Sequence, residues 1–160
     1  MSTLKAAVDD FLAQKRIAIA GVSRKPGEAA NLIYKKLRGC GYQVFPINPN
    51  ADQVEGDPCY PDLASLPEGA DAVVVATHPR VAEQIVRECA ELGISRVWMH
   101  RSFGQGSVSE DAVRLCREKK ISVIPGGCPM MFCEPVDFAH KCIRWMLKIS
   151  GGLPNAEIHP

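Results

Sequence analysis

Five short apolar runs punctuate the chain, at residues 17–20, 42–47, 71–76, 94–99 and 121–124. Largely apolar runs of this length predict strands buried on both faces, as in a parallel sheet. Between them, apolar positions recur at helical spacing. Leu4, Ala7, Val8 and Phe11 predict an entry helix over 3–14 packed on the sheet. Leu32, Ile33, Lys36 and Leu37 predict a second over 29–40, stopped by Gly39 and Gly41. Val81, Ile85, Val86, Cys89 and Leu92 predict a third over 80–92, capped by Gly93. A glycine-bearing loop, 103–107, leads to a fourth that carries Val113 and Cys116, and 136–149 reads as a closing helix. Residues 51–68 are rich in Pro, Gly and Asp; they are read as one short strand near Cys59 and Tyr60 and a helical turn around Leu63 to Leu66. Past Gly151 and Gly152 the pattern lapses, which predicts a mobile tail over 151–160. Strand–helix alternation of this kind predicts an α/β fold: a doubly wound, mostly parallel sheet with helices on both faces, in a single domain.

Composition narrows the function classes. A chain of 160 residues fits one domain and can bury roughly 70% of its unfolded surface. A net charge of +1 gives no broad basic face for nucleic acid, although a small anion held by local cations remains compatible with it. No apolar stretch reaches the ~18 residues of a membrane span, and the polar, acidic N-terminus does not read as a signal peptide. The seven cysteines, at 40, 59, 89, 116, 128, 133 and 142, form no C-x-x-C pair. They are read as reduced thiols of a cytoplasmic protein, most of them filling core volume.

Chemistry concentrates where the first run stops. The run 17–20 ends at Gly21; Val22, Ser23, Arg24 and Lys25 follow, and helix-forming residues resume near Glu28. Strand, tight turn and helix N-terminus in that order suit a bound phosphate. The NAD pattern G-x-G-x-x-G fits poorly, because Ser23 falls at its second glycine and Pro26 at its third. A dehydrogenase would also place Asp or Glu at the end of the second strand to bind ribose, where this chain has Asn48 and Pro49. Arg24 offers a planar fork to a phosphate and Lys25 a mobile charge, so the pair suits a more anionic ligand than NAD.

Ligands of doubly wound sheets bind at the carboxyl ends of the strands. The residues expected to converge there are Gly21 to Lys25, Asn48 and Pro49, Thr77, His78 and Pro79, His100 to Ser102, and Gly127 to Pro129. At these positions the chain resembles the CoA-binding domain family, small single-domain proteins related to the N-terminal domain of the succinyl-CoA synthetase α subunit. The resemblance covers about residues 15–130 and rests on Gly21-Val22-Ser23 with its basic loop, Pro46-Ile47-Asn48-Pro49, the strand 72–76 with Pro79 beyond it, Trp98-Met99, and Cys128-Pro129. It implies a Rossmann-like domain over 1–150, with its core at 15–130. Coenzyme A or an acyl-CoA would bind with its phosphates at Gly21, Val22, Ser23, Arg24 and Lys25. Asn48 and Pro49 would border the adenosine, with Thr77, His78, Pro79, His100, Cys128 and Pro129 along the neighbouring strand ends. Relatives commonly carry Gln at the position of His100. The phosphohistidine domain of the synthetase has no counterpart here, so ligase activity is not expected to carry over.

The first reading is therefore a ligand-responsive or carrier module for CoA, acting on a small nucleotide ligand and not on nucleic acid or membrane. The competing reading is an NAD(P)-linked redox sensor, with NADP admitted by Arg24 and Lys25, or a small enzyme. In that second class His78, His100 and Cys128 would share a metal such as zinc, or a histidine would activate Cys128 as a nucleophile. Against both, the histidines would bond loop groups and Cys128 would pack in its turn. Ile143, Trp145, Met146 and Leu147 of the closing helix suit packing in trans as a homodimer.

Overall fold

The computed structural model describes residues 3–102 and 104–159; Phe103, assigned above to a loop, lies outside them. Its main sheet holds β1 (Arg16–Ala20), β2 (Gln43–Ile47), β5 (Ala72–Val75), β6 (Arg96–Met99) and β7 (Ser122–Pro125). All neighbours are parallel, in the order β2-β1-β5-β6-β7. Between β2 and β5 the chain makes a small antiparallel hairpin, β3 (Gln53–Val54) and β4 (Asp57–Pro58). This is the α/β fold expected, with the sheet winding outward in two directions from β1.

Side-chain alternation assigns the two faces. Ile17, Ile19, Val74, Trp98 and Ile124 face α1 (Thr3–Leu12) and α2 (Ala29–Gly39), with α5 (Phe138–Ser150) packed over the same layer. Ala18, Ala20, Val73, Val75, Val97, Met99 and Val123 face α3 (Pro79–Leu92) and α4 (Glu110–Glu118). Trp98 centres the first layer. It is fully buried, meets Phe11 edge-on with centroids 5.3 Å apart, and donates from Nε1 to the Gly126 carbonyl at 2.9 Å. The indole thus buries a large apolar surface with its one donor satisfied.

Several expectations shift on the structure. The buried face of α2 is Ala30, Asn31, Ile33, Tyr34 and Leu37, whereas Leu32 is 41% exposed. In α3, Ala82, Ile85, Val86 and Cys89 are buried while Val81 and Leu92 stay about half exposed. Residues 61–66 form a turn without helix, held by Asp62, whose Oδ1 accepts from the Ser65 amide and hydroxyl at 2.8 and 2.7 Å. Of the four closing-helix residues expected to pack in trans, Ile143 and Leu147 lean on the core; Trp145 and Met146 face outward, with Phe138 and Ile149 beside them.

The segment after Gly152 is not a loose tail. Glu157 pairs antiparallel with Val123, its N–H and C=O each bonding Val123 at 2.9 Å, while Pro154 and Ala156 are buried. The outer edge of β7 is therefore covered at this point, which blunts an otherwise open strand edge. No helix among the described residues is long and apolar enough to cross a membrane.

Candidate functional site

Strand order reverses between β1 and β5: from β1 the chain steps to β2 on one side, then returns to lay β5 on the other. Gly21 stands at this reversal with φ near +101°, a conformation that favours glycine. A Cβ there would lie 2.2 Å from the carbonyl oxygen of Ala76, at the end of β5. Only a residue without a side chain lets the two strand ends meet this closely. The loop that follows is fastened by Asn31, which is 1% exposed in the first turn of α2. Its Oδ1 accepts from the Ser23 amide at 2.7 Å, and its Nδ2 donates to the Ser23 carbonyl at 2.8 Å and to Glu55 at 3.0 Å. Ser23 Oγ in turn accepts from the Lys25 amide at 3.0 Å.

Beside this elbow opens a cleft of about 450 Å³. Gly21, Val22 and Ser23 form one wall, Asn48 and Pro49 a second, and Thr77, Val81 and Ile85 a third, with Pro61 to Leu63 closing the far side. The half-exposed Val81 is explained here, since it belongs to the cleft wall and not to the core. Asn48 is a fastener too: its Nδ2 donates to the Val22 carbonyl at 2.8 Å and its Oδ1 accepts from Asn50 at 2.8 Å. At the elbow end, among the described residues, no protein group accepts from the amides of Val22 or Arg24, and the side chains of Arg24 and Lys25 are exposed and unpaired. Helix α2 begins nearby at Ala29, with no side chain capping it. Away from the elbow the polar side chains that line the cleft are Asp62, Gln84 and Glu88. Asp62 holds its turn, and Glu88 accepts from the Leu63 amide at 3.4 Å. The cleft thus has the elbow on one side, with Arg24 and Lys25 on the loop beyond it, apolar walls, and Asp62, Gln84 and Glu88 as its other polar side chains.

The structure gathers Gly21, Val22, Ser23, Asn48, Pro49 and Thr77 around this cleft, with Arg24 and Lys25 on its rim loop, and leaves the remaining expected residues outside its lining. His78 is the N-cap of α3: its Nδ1 accepts from the Arg80 amide at 3.2 Å, and Pro79 takes the first helical position. His100 is set at the end of β6, where Nε2 meets Ser102 Oγ at 3.3 Å. Burial, with a smaller contribution from His140, holds its pKa below the usual histidine value. Cys128 packs in the α1/α2 layer beside Met131, and burial pushes its thiol up to about 11, away from a reactive thiolate. Pro129 opens the 3₁₀ turn Pro129–Met131 behind it. Among the described residues no three His, Cys, Asp or Glu side chains come together as a metal site, so the shared-metal arrangement of His78, His100 and Cys128 is not formed. Sequence reasoning missed Asn31, Asp62, Gln84 and Glu88. The signal for Asn31 was a polar residue in phase with Tyr34 and Leu37 on a buried helix face.

The family model for the CoA binding domain matches residues 15–134. The chain belongs to the CoA-binding domain family. It is 28% identical over 125 residues to the uncharacterized protein YneT of Bacillus subtilis, covering 78% of this chain and 90% of that one. A hypothetical protein from Pyrococcus horikoshii OT3 has the same fold, with a TM-score of 0.76 at 26% identity over 84% of this chain and 92% of that chain. The chain is also 31% identical over 87 residues to the ADP-forming acetate–CoA ligase II of Archaeoglobus fulgidus. That match takes in 53% of this chain but 13% of the ligase. The matches thus take in most of two small proteins and one short segment of a much larger ligase.

Proposed function

We propose that this chain binds coenzyme A or an acyl-CoA in the cleft at the carboxyl ends of β1, β2 and β5, as a carrier or ligand-responsive module. The observation that carries this reading is the polarity of the cleft at the strand-order reversal. The unpaired amides of Val22 and Arg24, the side chains of Arg24 and Lys25 and the uncapped start of α2 belong to the elbow and the loop that follows it, where a polyphosphate gains most from donors and positive potential. The apolar walls from Ile47, Pro61, Leu63, Val81 and Ile85 suit the flat face of an adenine. Acceptors at Asp62 and Glu88 suit ribose hydroxyls or the adenine amino group. A volume of about 450 Å³ lies within the range of small-molecule sites, roughly 300–1,000 Å³, and takes the nucleotide portion while the pantetheine arm leaves across the surface. Asn48, held by Val22 and Asn50, leaves no carboxylate at the end of β2 for an NAD ribose. The sealed, high-pKa Cys128 favours holding a thioester over exchanging with it.

Calorimetric titration with CoA, acetyl-CoA, NAD and NADP tests the reading. CoA or its thioester should bind and NAD should not. Arg24→Ala with Lys25→Ala should weaken CoA about tenfold or more, as expected for lost charged hydrogen bonds, and should flatten the salt dependence of binding. Binding of NADP with none of CoA would overturn the assignment. The proposal also retains a homodimer through the outward face of α5, where Phe138 is 82% and Trp145 62% exposed. Light scattering that gives a monomer at high concentration would remove that part alone.

A further inference from the structure

At the other end of the sheet two cysteines 93 positions apart in sequence face each other. Cys40 caps the C-terminus of α2 and Cys133 follows the 3₁₀ turn Pro129–Met131; their sulfurs are 3.4 Å apart. Among the described residues no other two cysteine sulfurs lie within hydrogen-bond reach. The two thiols differ in access. Cys133 is 4% exposed, whereas Cys40 lines a surface depression of about 260 Å³ with Gln14, Lys15, Gly41, Tyr42 and Gln43. We propose that Cys40 and Cys133 are a site of reversible oxidation, closing to a disulfide in the presence of a small two-electron oxidant such as hydrogen peroxide. The inference does not depend on the ligand assigned to the cleft.

The steps follow from access and contact. Cys40, reachable through the depression, gives up its thiol proton and attacks a peroxide oxygen; the O–O bond breaks and the departing hydroxide takes up that proton to leave as water. Cys40 is then a sulfenic acid, oxidised by two electrons. Cys133 loses its proton and attacks the Cys40 sulfur, forming the S–S bond and expelling the hydroxyl group as a second water. One peroxide is thereby reduced to two waters while two thiols become one disulfide. The sulfurs start 3.4 Å apart and must close to about 2.05 Å. Burial and the neighbouring Cys40 thiol raise Cys133, Glu134 adds to this, and the Lys36 ammonium opposes it. Tyr42 also feels both sulfurs. The bond would tie the C-terminus of α2 to the segment that leads into α5.

The full-length reduced protein, treated with hydrogen peroxide and mapped by non-reducing peptide mass spectrometry, tests this. The expected result is one peptide joining Cys40 to Cys133, lighter by two hydrogen atoms and reversed by dithiothreitol, with two of the seven cysteines losing reactivity towards a thiol reagent after denaturation. Cys40→Ser, at a half-exposed site, should melt like the parent and give no linked peptide. Cys59→Ser should leave the linkage intact. Sulfinic acid at Cys40 beside an untouched Cys133 thiol, or links through other cysteines in place of this one, would overturn it.

Discussion

A methyl group at residue 21 would press on the Ala76 carbonyl at 2.2 Å, and the backbone there sits at φ +101°. Overpacking and left-handed strain each cost on the order of 1–2 kcal/mol. Gly21→Ala should therefore lower unfolding stability by about 2–4 kcal/mol in urea titrations; a loss within experimental error would mean that the strand ends do not meet as described. Asn31→Leu fits the helix but deprives the Ser23 amide and carbonyl of their partners. Unsatisfied, part-buried groups of this kind cost about 1–3 kcal/mol. The variant should be less stable by that order and should bind CoA more weakly through a loosened elbow; unchanged affinity would separate the fastener from the site. Gly21 was legible because a strand-like run halts at it. Asn31 was not, since α2 was read from Leu32, Ile33, Lys36 and Leu37; Ile33 and Leu37 do lie on the face that packs, but a polar residue on that face gave no apolar signal. His78 drew attention as a reactive side chain at a strand end. The neighbouring Pro79 was the better clue, because proline favours the first helical position and marks the residue before it as a cap.

Among the elements, the strands of the sheet were readable from their apolar runs and the helices from their helical spacing, and the exceptions share a cause. The hairpin β3–β4 and the strap around Glu157 are each held by one or two residue pairs, too few to generate a period. A short strap is nonetheless consequential on an edge strand. Residues 153–159 shield the outer edge of β7 at Val123, bury Pro154 and Ala156, and bring Glu157 against Arg117, whose Nε donates to its carboxylate at 2.9 Å. Deleting 153–160 should lower the melting temperature and make the protein associate as its concentration rises, because an exposed parallel edge invites pairing. Glu157→Gln keeps the backbone bridge and should have the smaller effect of the two. A truncated chain that melts and sediments like the parent would show that the strap contributes nothing to closing the edge.

For the whole molecule, the titrating groups divide acid stability into two stages. His100 has a folded pKa below its ordinary value, because burial and the charge of His140 disfavour its protonation. The unfolded chain takes up that proton first, so stability is full above about pH 6.5 and falls as pH drops from there to the folded pKa. Asp57 is lowered by hydrogen bonds from Tyr34 and Arg38, and Glu157 by Arg117. Their contributions persist through the first stage and are lost only below the ordinary carboxylate range, about pH 4. His100→Gln cannot titrate; it should abolish the decline between pH 7 and 5 while keeping the one below pH 4. Superimposable curves for parent and variant over pH 7 to 5 would contradict the buried setting of His100. The same experiment bears on the ligand. The cleft lies among β1, β2 and β5 and does not include His100, so saturating CoA should raise the whole curve, by about 2.7 kcal/mol at 100 times its dissociation constant, without changing its shape between pH 7 and 5. If bound CoA instead erased the His100 step, an anionic group of the ligand would have to reach the end of β6, and the cleft at β1 and β2 would be only part of the site.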